Sequence, residues 1–272
     1  MDICPAKVLE TRGEAAEFVH ADSCIQCYHC VAICPVQAVE CDEFPLDAFK
    51  KIPKSRVATP AAVKNLFLLR RSIREFKDKE VPADILEELV DVATHAPTGH
   101  NDKGVELTIV TDTKLIRRID SRIFERFEMI AKAADSRVLM DLVKLLGGDE
   151  SARSAKSMIG TVERFSRAKG REKEMVTRGA PVLIAAHTGP DATTGKDDCV
   201  IAMNQMMAIA NARGLGATWI GIIVGAAKFD PGIKRMLKVP LRNNIHSVMV
   251  LGWPRHTYRR MVPRRTVPVK WI

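Results

Sequence analysis

The sequence predicts a two-part chain that mixes helices and strands, with a small cysteine-rich head followed by a large basic body. Three observations carry that prediction. Six of the seven cysteines fall within the first 41 of 272 residues, and Cys199 stands apart from them. Residues 1–50 carry a net charge of −6, whereas the remainder carries +15. Beyond residue 64, apolar stripes at helical spacing alternate with short apolar runs of strand length. The length supports one large domain or two smaller ones with a substantial core. A composition of 46% hydrophobic and 28% charged residues excludes a disordered chain. No run approaches the ~20 apolar residues needed to span a bilayer, so no membrane partner is expected. The first residues lack the charged-then-apolar pattern of a signal peptide, which makes the cytoplasm the default location. A net charge of +9 invites a nucleic-acid reading. With 5% aromatic residues and no nucleic-acid motif, however, small anionic ligands explain the charge better.

Without a secretory signal, the cysteines do not read as disulfides. Cys24, Cys27, Cys30 and Cys34, with Pro35 last, follow a C-x2-C-x2-C-x3-C-P spacing. Two-residue gaps let successive thiolates curl around one small inorganic cube. The spacing resembles that of bacterial ferredoxins, in which the fourth cysteine of the run serves the other cluster of a two-cluster fold. Cys24, Cys27 and Cys30 are then expected to hold a [4Fe-4S] cluster that Cys4, followed by Pro5, completes. Cys34 would serve a further cluster whose other ligands precede Cys4, which would place the true start upstream of Met1. On the rival view the protein keeps one cluster and Cys34 is an orphan. A zinc knuckle prefers two separated pairs, and inert core thiols need no such spacing. Cys41 lies outside the pattern and is expected to be a packed core thiol.

Residues 51–63 are polar, contain prolines and lack periodicity, and are read as a linker between residues 1–50 and a body spanning 64–272. Leu66, Phe67, Leu68 and Leu69 lead into Arg70, Arg71, Ser72 and Arg74, which form either a dense anion-binding set or a solvated basic turn. Pro82 opens a helix whose apolar stripe is Ile85, Leu86, Leu89, Val90 and Ala93. That helix ends at Ala96-Pro97. In the polar turn that follows, Asn101 offers a donor and an acceptor suited to the imide edge of a flavin ring. His100 could donate a proton there, but reads first as a packed or exposed loop histidine. A strand is expected at 105–111, and a charged helical excursion at 113–178 with a break at Gly147-Gly148. A buried strand follows at 182–187, and then an all-round apolar helix at 199–212 whose methionines are core filler. Gly214 is its C-cap. Gly216 and Gly221 flank another strand, and Gly221 would let backbone approach a planar ring. The last strand spans 245–252. The tail beyond it carries Arg255, Arg259, Arg260, Arg264, Arg265 and Lys270 and no acid, a composition fit to wrap a partner subunit.

The ordered set RRSIREF, APTGHN, GAPVLI, GLGATWIG and LGWPRHTYRR resembles the nitroreductase family of flavin enzymes from about residue 64 to 268. With its head, the whole is similar to nitroreductase-family proteins that carry an N-terminal ferredoxin domain. The resemblance implies a homodimeric α+β fold, a sandwich with a central, mostly antiparallel sheet flanked by helices and FMN at each subunit interface. It implies that Arg70, Arg71, Ser72 and Arg74 bind the flavin phosphate and that Asn101 touches the ring. Lys103 stands where the family usually has glutamine. It would either favour the anionic reduced flavin and raise its potential, or point to solvent. Ile220 and Gly221 would present backbone to the N5 side of the ring, and Arg264 or Arg265 would reach the phosphate from the tail. The expected activity is reduction of a small electron-poor compound, such as a nitroaromatic or quinone. Electrons would come through the cluster from reduced ferredoxin, or directly from NAD(P)H. The alternative is a redox sensor or electron-transfer module that docks a protein partner and turns over little.

Overall fold

The computed structural model describes residues 3–13, 15–53, 58–134 and 175–272. The head opens with strand β1 (Leu9–Arg12) paired antiparallel to β2 (Ala15–Phe18), with Leu9 opposite Phe18. Gly13, at φ +63°, lies in the reversal between them, a conformation that glycine adopts without strain. A short helix, α1 (His29–Ile33), follows the cysteine loop. Few apolar side chains are buried here, among them Val8, Leu9 and Val31. Tyr28, Phe44 and Phe49 meet edge to face, with ring centroids 5.5, 6.2 and 6.5 Å apart.

Helix α2 (Pro60–Leu69) begins inside the expected linker. The reason is a local start signal. Thr59 Oγ1 accepts the Ala62 N–H at 3.2 Å, and Pro60 occupies the first turn, where its missing N–H costs nothing. The chain then runs extended along the edge of the main sheet. Ser72 bridges to Ala217, Phe76 bridges to Pro254, and the Ile73 N–H donates to the Ala217 carbonyl at 3.1 Å.

The body continues with α3 (Ala83–Thr94), β3 (Glu106–Val110), α4 (Thr113–Ala134), β4 (Val182–Thr188) and α5 (Gly195–Ala212). It closes with β5 (Gly216–Trp219), α6 (Gly221–Phe229), α7 (Pro231–Met236) and β6 (Asn244–Gly252). The expected break at Gly147-Gly148 lies outside the described residues. The strands form one antiparallel sheet in the order β3-β4-β6-β5. Every residue of β4 is buried, as a strand covered on both faces must be. The period-2 alternation divides two cores. Leu183, Ala185, Val248 and Val250 pack with Ile116, Ile119 and Ile123 of α4 and with Ile223 and Ile233 of α6 and α7. Ile184, Ala186, Met249 and Leu251 pack on the other face with Leu86 and Leu89 of α3 and with Met203 and Met206 of α5. The expected α+β sandwich is what forms. Gly214, at φ +78°, ends α5 as the sequence predicts. Part of α5 stays uncovered, since Val200 and Ile201 are exposed within the single chain.

Two contacts fix the framework and yield predictions. Asp230 is buried and caps α7 through the Gly232 N–H at 2.9 Å. It also receives a fork from Arg122, Nε to Oδ2 at 2.7 Å and Nη2 to Oδ1 at 2.8 Å. These donors, Arg122 first, hold its carboxyl down to about 2. A carboxylate depressed in the folded state stabilises above its unfolded pKa and loses that contribution as pH falls through the folded value. Acid unfolding should therefore steepen between about pH 4 and pH 2, with about 1–2 kcal/mol at stake. Asp230→Asn should remove that steepening in urea titrations at stepped pH. The second contact is Gly216 against Ile73. A Cβ on Gly216 would come within 2.6 Å of the Ile73 Cβ. Gly216→Ala should therefore cost about 1–3 kcal/mol by overpacking, read as a lower urea midpoint at unchanged slope.

Candidate functional site

Cys4, Cys24, Cys27 and Cys30 line one cavity of about 370 Å³ in the head, with Val8, Leu9 and Val31 in its apolar wall. Cys34 is not part of that wall. Among the described residues no three Cys, His, Asp or Glu side chains gather tightly enough to hold a single metal ion. Thiols spread around a cavity of that size, rather than drawn together on one ion, fit a cube better than one zinc, whose thiolate bonds are about 2.3 Å long. Burial pushes the Cys30 thiol up, with the nearby Cys27 and Cys24 adding to it.

The turn at Cys4 recurs at Cys34. Each cysteine precedes a proline, and each sulfur accepts the amide four residues on, from Val8 at 3.4 Å and from Ala38 at 3.2 Å. Lys7 and Gln37 both have positive φ, 52° and 55°, and both donate to the carbonyl of their cysteine. The Ala38 N–H is the leading cause that lowers the Cys34 thiol. Cys34 therefore sits in the same turn geometry as Cys4, but away from the cavity. Cys41 corrects the sequence expectation. It is not a core thiol but lies partly exposed on the cavity wall, with Sγ donating to the Phe44 carbonyl at 3.3 Å. A head of this size has no interior left for it.

In the body, the extended segment after α2 places Arg70, Ser72 and Arg74 on one side and buries Ile73 on the other. Arg71 departs from the expected set. It turns back to donate to the Leu68 and Arg70 carbonyls at 2.9 and 2.7 Å, and lines a separate groove with Trp253 and Tyr258. Its Nε is buried without a partner. Sequence reasoning missed Arg178, which sits just before Gly179 with both at positive φ. Desolvation, and then the charge of Arg74, hold the Arg178 guanidinium below its usual range. Like charge felt by Arg178 from Arg74 would be relieved by an anion that both arginines meet. The visible signal was the arginine preceding the Gly-Ala-Pro turn; the influence of Arg74 on it is a tertiary effect.

The turn after α3 is pinned from below. Asp198 is buried and accepts from the Gly99 N–H at 3.1 Å and from Thr194 Oγ1 at 3.0 Å. Thr98 Oγ1 accepts the Lys103 N–H at 3.1 Å. His100, Asn101 and Lys103 all lie in the left-handed region, at φ 54°, 59° and 52°. His100 is exposed, with Nδ1 3.4 Å from Thr193 Oγ1. Asn101 and Lys103 turn toward the head. Asn101 Nδ2 donates to the carbonyls of Ile25 and Gln26 at 2.8 and 3.0 Å, between two cavity cysteines. Lys103 Nζ is 3.4 Å from Glu43 Oε2 and 4.9 Å above the Tyr28 ring. Its ammonium therefore faces the head, with the side chain still 45% exposed. Tyr28 OH also donates to Glu43, which raises Tyr28 to about 12 and lowers the Glu43 carboxyl.

Ile220 is buried, donates its N–H to the Val248 carbonyl at 2.8 Å and leads into α6 at Gly221. A Cβ on Gly221 would have no atom within 4 Å, so open space adjoins the backbone where a planar ring is expected. Arg264 and Arg265 lie in the exposed tail, which has no regular structure. The single chain does not bond them to the surface formed by Arg70, Ser72 and Arg74.

A nitroreductase family model matches residues 68–253, and a 4Fe-4S binding domain model matches residues 17–40. A Methanothermobacter thermautotrophicus protein, provisionally described as an NADH dehydrogenase/NAD(P)H nitroreductase, is 21% identical over 189 residues. That alignment covers 68% of this chain and 73% of the relative. A Bacteroides fragilis nitroreductase with bound FMN superposes at a TM-score of 0.56 and 22% identity, covering 77% of this chain and 96% of its own. A Desulfitobacterium hafniense nitroreductase with bound FMN superposes at 0.56 and 18% identity, covering 76% and 98%. The structural likeness shows a shared fold, and the family match takes in more than half of the sequence. The chain belongs to the nitroreductase family and carries a 4Fe-4S binding motif ahead of its nitroreductase domain.

Proposed function

We propose that this protein is a homodimeric FMN oxidoreductase that takes electrons through a [4Fe-4S] cluster and reduces a small electron-poor substrate such as a nitroaromatic or quinone. The observation that carries this reading is the junction: the loop between Cys24 and Cys27 is hydrogen-bonded by Asn101, from the turn expected to border the flavin. When bound, the cluster supplies electrons singly, and FMN supplies either single electrons or a hydride.

The chain's own residues prepare both places. Cys4, Cys24, Cys27 and Cys30 would hold the cluster in a cavity whose wall mixes Val8, Leu9 and Val31 with acidic and polar side chains. Arg70, Ser72, Arg74 and Arg178 would receive the flavin phosphate, the arginines as planar forks and the serine as a neutral donor. Asn101 already directs its amide N–H donors into the head, which leaves its carbonyl oxygen as an acceptor for the imide N–H of the ring. Open space at Gly221 and the backbone of Ile220 would admit the ring edge. A second copy would cover exposed Phe67, Leu68, Val200 and Ile201, and its tail would bring Arg264 or Arg265 to the phosphate. Substrate reduction needs fixed donors beside developing negative charge, which the basic side chains around the ring would provide. Among the described residues no helix is long and apolar enough to cross a membrane. Reduced ferredoxin or NAD(P)H is the proposed donor.

Anaerobic purification with iron, sulfide and flavin assays should give about four irons and one FMN per chain, and about eight irons would assign Cys34 to a second cluster. Cys4→Ser should lose the iron, whereas Cys41→Ser should keep it. Protein that carries no iron or flavin after anaerobic reconstitution contradicts the proposal. Full reduction of both centres without turnover of any nitroaromatic or quinone, together with salt-sensitive binding of a protein partner, would instead mark an electron-transfer module.

A further inference from the structure

We propose that Lys103 and Glu43 form an electrostatic latch that, with Asn101, seats the cysteine loop of the head on the 98–104 turn of the body. This inference rests on the electron-relay reading above and assigns the residues that make the relay geometry.

The latch is anchored on both sides. On the body, Asp198 and Thr194 hold the Gly99 amide, and Thr98 holds the Lys103 amide, so the turn presents Asn101 and Lys103 from a fixed base. On the head, Glu43 takes a hydrogen bond from Tyr28 as well as the ion pair from Lys103. Tyr28 lies between Cys27 and Cys30 and packs on Phe44 and Phe49. Pull on Glu43 is thus transmitted to the cysteine loop itself, while Asn101 grips the backbone of Ile25 and Gln26 beside it. Charge identity matters at this position. A glutamine at 103 would offer neither the full charge that Glu43 meets nor the cation that lies over Tyr28. Both partners of the pair are 45% exposed, so the latch is weak, reversible and screened by salt.

The test uses the full-length protein with its iron and flavin, and reads docking before it reads electrons. Hydrogen exchange of the amides in 24–28 and 98–104 should be slow in the wild type at low salt. It should quicken in Glu43→Lys and in Lys103→Glu, and return toward wild type in the double charge swap. Exchange in wild type should also rise with ionic strength, and in Glu43→Gln it should respond less. In stopped flow with a low-potential one-electron reductant, each electron that leaves the reduced head oxidises it and reduces the flavin by one. Two such transfers, with protons from solvent, complete flavin reduction. Flavin bleaching should be roughly fivefold slower in Glu43→Gln, the population change that loss of an exposed ion pair allows. It should be slower still in the single reversals and recover in the double. Iron and flavin contents measured on each variant separate loss of a centre from loss of docking. Single variants that behave as wild type, or a double swap that recovers nothing, overturn the latch alone. Wild type whose reduced head never bleaches the flavin overturns the relay and the latch with it.

Discussion

Asp198 is a buried carboxylate in the first turn of α5, and the junction between the two halves depends on what it binds. An ionised group in such a place is tolerated only if its oxygens are occupied by donors. Thr194 and the Gly99 amide occupy them, and the start of a helix favours the negative charge. The 98–101 turn cannot drift without uncovering that charge, so the side chains it carries are aimed rather than loose. A Cβ at Gly99 would collide with Thr194, so the close approach also demands glycine. The same structural choice places α3, α5 and the turn in one unit under the sheet. The position of Asn101 is then a consequence of core packing and not of loop chemistry.

Much of this was legible from local pattern. The strand at 245–252, the Pro82 helix start and the Gly214 cap each depend on neighbours within a few residues, and each forms close to where the pattern puts it. The cysteine spacing grouped Cys4 with Cys24, Cys27 and Cys30, and all four line one cavity, which Cys41 joins without having been expected there. The direction of Arg71 was also present in the sequence and was not used. An extended segment alternates its faces, and apolar Ile73 had to point inward, so the neighbouring arginines were bound to separate. Arg178 and the orientation of Lys103 were not readable at all. Each is set by a residue more than fifty positions away, and no periodicity reports such a meeting.

The head shows the opposite balance from the body. The body has two apolar cores on either side of β4 and β6, and its fold follows from burial. The head buries little beyond Val8, Leu9 and Val31, and its strands are short and largely exposed. Small units of this kind draw stability from bound metal rather than from apolar area. That explains why Cys41 ends up on the cavity wall: every inward position in the head faces the cavity. It also fits the repeated Cys-Pro turns, in which backbone amides supply the sulfurs with hydrogen-bond partners.

Charge then decides how the halves meet. An acidic head and a basic body attract at long range, but that attraction is diffuse and does not fix a register. Register comes from short contacts, and the structure concentrates them where the cysteine loop meets the 98–104 turn. Two amide-to-carbonyl hydrogen bonds from Asn101 supply direction, while Lys103 between Glu43 and Tyr28 supplies charge. This polar and half-exposed seam defines its register through groups that are themselves pinned by Asp198 and Thr98.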